Sequence, residues 1–498
     1  MRGAAPVLLA LLLILGLGAC KVANELYCDD TTPCPSGYTC DRNPGPGQNG
    51  CVPVAGADAG AADAPIGVAD AILCTDAGMC PGAFPICRAG TCGTCAQNTE
   101  CPVTAPVCKS AGNCDACAGE GDCSGRPTTP HCLTSTGACV VCRNTDADCG
   151  GATPVCEATV CRACRKDVEC SAVAGICDTD TGRCVTGAEI LYVAPGGTGL
   201  SCTAASPCGS IKTALTKVSL AQPWIKLLAG SFVESFVVKD MTAHIVGAGA
   251  SSIIQPDGAD PIVWVQGTAD LLLRSARIRA GANANADGIR CDGIGATRVR
   301  GFDLQIDGNL GTGVNASRCT VGLERSRVMQ NAAGGLRLFD TTFAVRNNFI
   351  GQNGTADVSA VGGFRLLSAP TGASTFEFNT VSGNRSKADT APGVQCDAAL
   401  AMSSDVVWGN GVAPDATAQF AGACTFIDSD IGGPTAAVPP NINANPLFHD
   451  AAAGDYHLDP GSPCANAGQP GTATVDDIDG QPRPKPGTLP DIGADEAF

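Results

Sequence analysis

Four aspartates, Asp287, Asp292, Asp303 and Asp307, lie close together in a chain otherwise sparse in reactive side chains, with only four histidines in 498 residues. Two carboxylates flanking a glycosidic bond can hydrolyse it, one as acid and the other as base or nucleophile. Converging carboxylates can instead hold calcium for an elimination in which an arginine or lysine is the base. Six arginines fall on three consecutive segments of the same region: Arg274, Arg277, Arg279, Arg290, Arg298 and Arg300. Guanidinium groups on an outer face recognise sulfated or uronic sugars through bidentate contacts. The plainer alternatives are that the aspartates form turns and that the arginines belong to a solvated face with scattered ion partners.

Asn285-Ala286-Asp287-Gly288 faintly resembles the N-T-D-G motif of polygalacturonases, which implies a catalytic role for Asp287 with Asp292, Asp303 and Asp307 nearby. The Gly-His-Gly and Arg-Ile-Lys motifs that accompany it in that family are absent, and His244, His449 and His457 lie far from it in sequence. A binding or adhesive role without catalysis is therefore the favoured expectation, with a polysaccharide lyase or glycoside hydrolase acting on acidic polysaccharide as the alternative. No cofactor is expected, and calcium stays open.

The net charge of −17 argues against a nucleic-acid partner, because phosphate binding needs a surplus of Lys and Arg. Thirty-two cysteines point to an oxidising compartment and a disulfide framework. Arg2 followed by the apolar run Val7–Leu17 reads as a signal peptide over residues 1–19, too short for a membrane span. Leu17-Gly18-Ala19-Cys20 resembles the bacterial lipobox. That resemblance implies lipid on the Cys20 thiol and cleavage before it, with palmitate and diacylglycerol anchoring the chain. Lys21 is not the aspartate that retains lipoproteins at the inner membrane, so the expected location is the cell envelope, at the outer membrane or cell surface.

The next cysteines form quartets. One is Cys28, Cys34, Cys40 and Cys51, in residues 20–53; an Ala/Asp/Gly/Pro-rich linker follows over 54–73. Five more quartets over 74–185 begin at Cys74, Cys95, Cys117, Cys142 and Cys164, an internal repeat with steps of 21, 22, 25 and 22 residues. A unit so small cannot bury enough apolar surface to offset its conformational entropy and needs bridges. Each quartet allows three pairings. An acidic residue precedes the second cysteine at Glu100, Asp122, Asp148 and Glu169. Cys20 alone belongs to no group among the cysteines before residue 185.

Beyond residue 186, two series recur in phase. One is glycine followed by an apolar residue at Gly288, Gly313, Gly335, Gly363 and Gly393; the other is an asparagine closing a strand at Asn309, Asn331, Asn353, Asn384 and Asn410. Steps of 22 to 31 residues predict a right-handed parallel β-helix over 186–440, with the asparagines stacked in a hydrogen-bonded ladder. A β-sandwich would repeat every 8–12 residues. One coil of separation predicts the bridges Cys291–Cys319 and Cys396–Cys424, with a local loop Cys202–Cys208 and Cys464 unpaired.

LYVAPGGTG with SIKTALTKV, and NANPLFHDAAAGDYHLDPGSPCANAG with DIDGQPRP and DIGADEAF, resemble the two ends of pectate-lyase-like β-helix proteins of the choice-of-anchor Q type. The resemblance implies an all-β solenoid closed by a C-terminal cap over 441–498. Together these readings describe a lipid-anchored surface protein in which a disulfide-rich stalk presents a β-helix to a polysaccharide or a surface protein.

Overall fold

The computed structural model describes residues 38–41, 50–53, 80, 85–173, 175–258, 261–281, 286–357, 362–390, 392–413, 417–434, 438–470 and 476–497. The signal peptide, Cys20, Cys28 and Cys34 of the first quartet, the linker and Cys74 lie outside them, as does Asn285. The chain divides into two compact units. The described part of the first holds the antiparallel pairs Tyr38–Asp41 with Gly50–Pro53 and Ile86–Arg88 with Thr91–Gly93, and the bridge Cys80–Cys92.

The second unit, residues 97–108 and 114–498, begins with small modules built alike. Each has a short hairpin whose register sets the third and fourth cysteines opposite one another: Cys108 and Cys114, Cys132 and Cys139, Cys156 and Cys161, Cys177 and Cys184. These facing cysteines are not joined to each other. Where a whole quartet is bridged, first pairs with third and second with fourth: Cys117–Cys132 with Cys123–Cys139, Cys142–Cys156 with Cys149–Cys161, and Cys164–Cys177 with Cys170–Cys184. Both hairpin strands are thus stapled to the preceding turn. The acidic residue before the second cysteine caps that turn: Asp122 accepts from Ala118 N (2.8 Å), Asp148 from Arg143 N (2.9 Å) and Glu169 from Arg165 N (2.6 Å). A second latch recurs where Asn98, Asp146 and Asp167 accept the amide of the third cysteine at 2.9, 2.8 and 2.9 Å.

From Ile190 the chain winds into a parallel β-helix with a 14-stranded and a nine-stranded sheet. Alternate side chains point inward, and a continuous apolar core runs from Leu191 to Ile431. The first coil is closed by the short helix Ile211–Leu215, whose N-terminus is capped by Ser210 and by the Glu234 carboxylate, which accepts from Ile211 N (2.6 Å) and Lys212 N (3.0 Å). The asparagine ladder is present and fully buried. Each Nδ2 donates to the next Oδ1, from Asn309 to Asn331 (2.8 Å), Asn353 (3.0 Å), Asn384 (3.0 Å) and Asn410 (2.9 Å), ending on Gln419 Oε1 (2.9 Å). The glycine series keeps phase with it for a steric reason. A Cβ on Gly363 would stand 2.8 Å from Asn384 Nδ2, and one on Gly393 2.8 Å from Asn410 Nδ2.

The bridges Cys202–Cys208, Cys291–Cys319 and Cys396–Cys424 are formed, and Cys464 is a buried free thiol. The described residues of the segment from 441 to 497 lie alongside the nine-stranded sheet. Tyr456 packs on Phe349 with ring centroids 5.7 Å apart and donates to Ser382 O (3.0 Å); Arg483 reaches Asn347 Oδ1 (3.0 Å). On another wall, the last disulfide module docks directly on the solenoid. Its Ile176 and Val185 join Ile190, Tyr192, Trp224, Val246 and Leu272 in one apolar cluster. No helix among the described residues is long and apolar enough to cross a membrane.

Candidate functional site

The 14-stranded sheet positions the best candidate site through register alone. In Val263–Gly267, Ile289–Phe302, Val314–Glu324, Leu336–Phe339, Phe364–Leu366 and Val394–Ser403, the residues flanking each outward position are buried: Val263 and Val265, Ile289 and Cys291, Leu336 and Leu338. Parallel pairing then stacks Trp264, Arg290, Asn315, Arg337, Arg365 and Gln395 in a single outward file. At the usual strand spacing the file is roughly 24 Å long.

Its members are pre-oriented by one another. Trp264 Nε1 donates to Asp292 (2.8 Å), and Arg290 lies 5.9 Å from the Trp264 ring centroid while its Nε donates to the same carboxylate (3.0 Å). Arg365 holds Asp397 through Nε (3.1 Å) and Nη2 (2.8 Å), and Gln395 Nε2 donates to the other Asp397 oxygen (2.8 Å). Arg337 is exposed, contacts Asn315 Oδ1 at 3.5 Å, and makes no ion pair among the described residues.

Asp287 sits beneath this file, only 3% exposed. Its Oδ1 accepts from Thr312 N (2.8 Å) and its Oδ2 from Asn315 Nδ2 (2.9 Å). Burial pushes its carboxyl above the ordinary range, against the pull of those hydrogen bonds. Asp287 thus fixes the rotamer of Asn315 in the file. The other two aspartates are elsewhere. Asp307 pairs with Arg277 (2.6 and 2.7 Å) on the nine-stranded sheet, with Arg279 at 3.6 Å, and Asp303 pairs with Arg325 (2.9 and 3.1 Å) at a coil corner. The four aspartates therefore do not converge. Among the described residues none of them belongs to a group of three side chains placed to hold a metal; the one such group outside the bridged cysteines is His457, Asp479 and Asp495.

The six arginines are likewise dispersed. Arg274, 6% exposed, donates to Asp167 (2.6 Å) and Cys177 O (3.0 Å), and Arg300 pairs with Asp180; both fasten the last disulfide module to the wall. Arg298 is exposed, and of the six only Arg290 joins the file. Arg337 and Arg365 escaped the sequence reading, although the signal was there: each file member from Arg290 onward is the second residue after a series glycine, at Gly288, Gly313, Gly335, Gly363 and Gly393.

No protein-family model matches the chain, and no curated protein matches it. Among solved structures, the chain is similar to the pectate lyase Pel9A at 13% identity and a TM-score of 0.38, over 62% of this chain and 96% of that one. It is also similar to a pectin methylesterase from Aspergillus niger at 11% identity and a TM-score of 0.25, over 48% and 91%. The catalytic domain of a GH87 α-1,3-glucanase gives 18% identity and a TM-score of 0.22, over 44% and 38%.

Proposed function

We propose that this chain is a cell-envelope protein, lipid-anchored through Cys20 at the outer membrane, whose β-helix binds an extended acidic polysaccharide without cleaving it. One observation carries the reading: the register that aligns Trp264, Arg290, Asn315, Arg337, Arg365 and Gln395 along the solenoid axis. A repeating anionic chain laid along this file meets guanidinium donors on three of the six rungs, amides on two and an indole face at one end. Asp292 and Asp397 hold Arg290 and Arg365 in place, so less side-chain freedom is lost on binding. Arg337, with no carboxylate partner among the described residues, is the strongest point of attachment.

A second reading, cleavage of the same polymer, is favoured by the raised carboxyl of Asp287 close to Arg290 and Asp292. One experiment separates the two. Polygalacturonate binding is measured by affinity electrophoresis against an uncharged polymer, together with release of unsaturated and reducing ends. Binding that weakens at least tenfold in Arg337→Ala, with no ends released, supports the binding reading. End release abolished by Asp287→Ala replaces it with the lyase or hydrolase reading. The anchor is tested apart from this, since Cys20→Ser should move the protein from the membrane to the soluble fraction.

A further inference from the structure

The last disulfide module does more than rest on the solenoid. Arg274 and Arg300 bind it to the wall, Lys226 Nζ lies 3.4 Å from Gly175 O, and Ile176 and Val185 enter the wall's apolar cluster. Between the module, the coil corners and the turn at Asp476–Gly480 this leaves a cleft of about 600 Å³, within the range of ligand pockets. Its position is separate from the arginine file. Parallel pairing stacks Arg274, Phe302 and Glu324 on successive rungs of the floor. The module contributes Arg165, Lys166 and Thr179 opposite.

The chemistry of the lining is unlike that of the file. Five acidic side chains (Asp167, Asp303, Glu324, Asp476 and Asp479) face four basic ones (Arg165, Lys166, Arg274 and Arg325). Several are already committed to one another: Arg325 Nη1 lies 3.7 Å from Glu324 and 3.9 Å from Asp476 while its Nε binds Asp303, and Arg274 binds Asp167. Burial, the largest influence, raises the Glu324 carboxyl above its ordinary value. Such a lining has little net field to attract an ion of either sign, yet it offers a dense set of hydrogen-bond donors and acceptors beside the partly buried Phe302 ring.

We infer that this cleft binds an uncharged, hydroxyl-rich oligosaccharide. Sugar hydroxyls donate to the carboxylates and accept from the side chains of Arg165 and Lys166, whose backbone amides donate to Glu169 but whose charged groups make no ion pair among the described residues. The apolar face of a pyranose packs on Phe302. The module's attachment then has a purpose, since it supplies the second wall of the site. This inference goes beyond the acidic-polymer reading and does not depend on it.

The test uses the full chain in detergent with its bridges intact, titrated by calorimetry with cellotetraose, maltotetraose and chitotetraose. At least one tetrasaccharide should bind, and Glu324→Gln at a half-buried position and Lys166→Ala at an exposed one should each weaken it about tenfold. Arg337→Ala should leave it unchanged, and polygalacturonate should not displace it. Failure of all three probes, indifference to both cleft variants, or displacement by polygalacturonate overturns the inference. Loss of polygalacturonate binding in Arg337→Ala with tetrasaccharide binding retained shows the two sites to be independent.

Discussion

The disulfide modules advance 21 to 25 residues at a time and the coils marked by the glycine and asparagine series 22 to 31, yet they close each turn by different means. A module's own core is little more than its cysteines with a valine from the preceding module, so two bridges per quartet hold its hairpin to its own preceding turn. A coil of the helix is paired along both edges and stacked on a common core. It is finished by an amide that bonds to the coils on either side. Covalent closure suits a unit that must hold alone, and a ladder suits one whose neighbours are always present. The two solenoid bridges that span rungs, Cys291–Cys319 and Cys396–Cys424, reinforce pairing that the backbone already makes.

Reduction should separate the two regions most sharply. Each bridge contributes on the order of 2–4 kcal/mol, so a module that loses two has too little apolar core left to stay folded. After treatment with dithiothreitol, limited proteolysis should digest the chain before about residue 186 and leave a resistant fragment beginning near Ile190. Digestion of both regions at the same rate would show that the solenoid also depends on its bridges and would erase the distinction drawn here.

The converse experiment attacks the ladder. Asn353 donates to Asn384 Oδ1 and Val328 O and accepts from Asn331 N and Nδ2, all at 2.8–3.0 Å and fully buried. Asn353→Ala strands these partners away from water, at a cost of about 4 kcal/mol if each unsatisfied group loses 1–3 kcal/mol with partial relaxation. The solenoid's thermal transition should fall while the modules keep their resistance to proteolysis in the absence of reductant. A variant as stable as the parent would mean that strand pairing and the apolar core suffice, with the amides serving only to set register.

Much of this contrast is legible in the sequence. The glycine and asparagine series keep phase because the amide needs the space a side chain on glycine would fill, and that constraint leaves a mark on residue type. The quartets are visible for the same reason. Their pairing is not, because first-to-third closure follows from a hairpin register set by backbone hydrogen bonds. The outward file is legible in principle as the second residue after each series glycine, but arginine density points instead to Arg274 and Arg300. Alternation alone could not reveal that a module 100 residues earlier in the chain covers those two, since such contacts are set by docking between distant segments. A second ladder, Asn348 to Asn379 (3.0 Å) and on to Asp405 (3.1 Å), stayed hidden because its last member is not an asparagine.

That last member gives the smallest and most discriminating effect. Asp405 is fully buried. Its Oδ1 accepts from Asn379 N (2.7 Å) and Nδ2, so it plays the ladder's acceptor role. Its Oδ2 has no hydrogen-bond partner among the described residues and occupies the place where an asparagine would carry its amide nitrogen. Burial, the largest influence, pushes its carboxyl well above the ordinary value. The folded chain therefore keeps this proton at a pH where the unfolded chain, with an aspartate pKa of about 3.9, has lost it. Stability from this site is accordingly highest below about pH 4 and declines as pH rises toward the folded-state value. Asp405→Asn removes the titration and supplies an amide donor at every pH, so it should stabilise the solenoid at pH 7 by about 1 kcal/mol. The gain should shrink toward zero at pH 4 in denaturant titrations that follow the solenoid's transition. A gain independent of pH would mean that Asp405 is already ionised in the fold, and the ladder would then tolerate a buried charge where the modules use bonds.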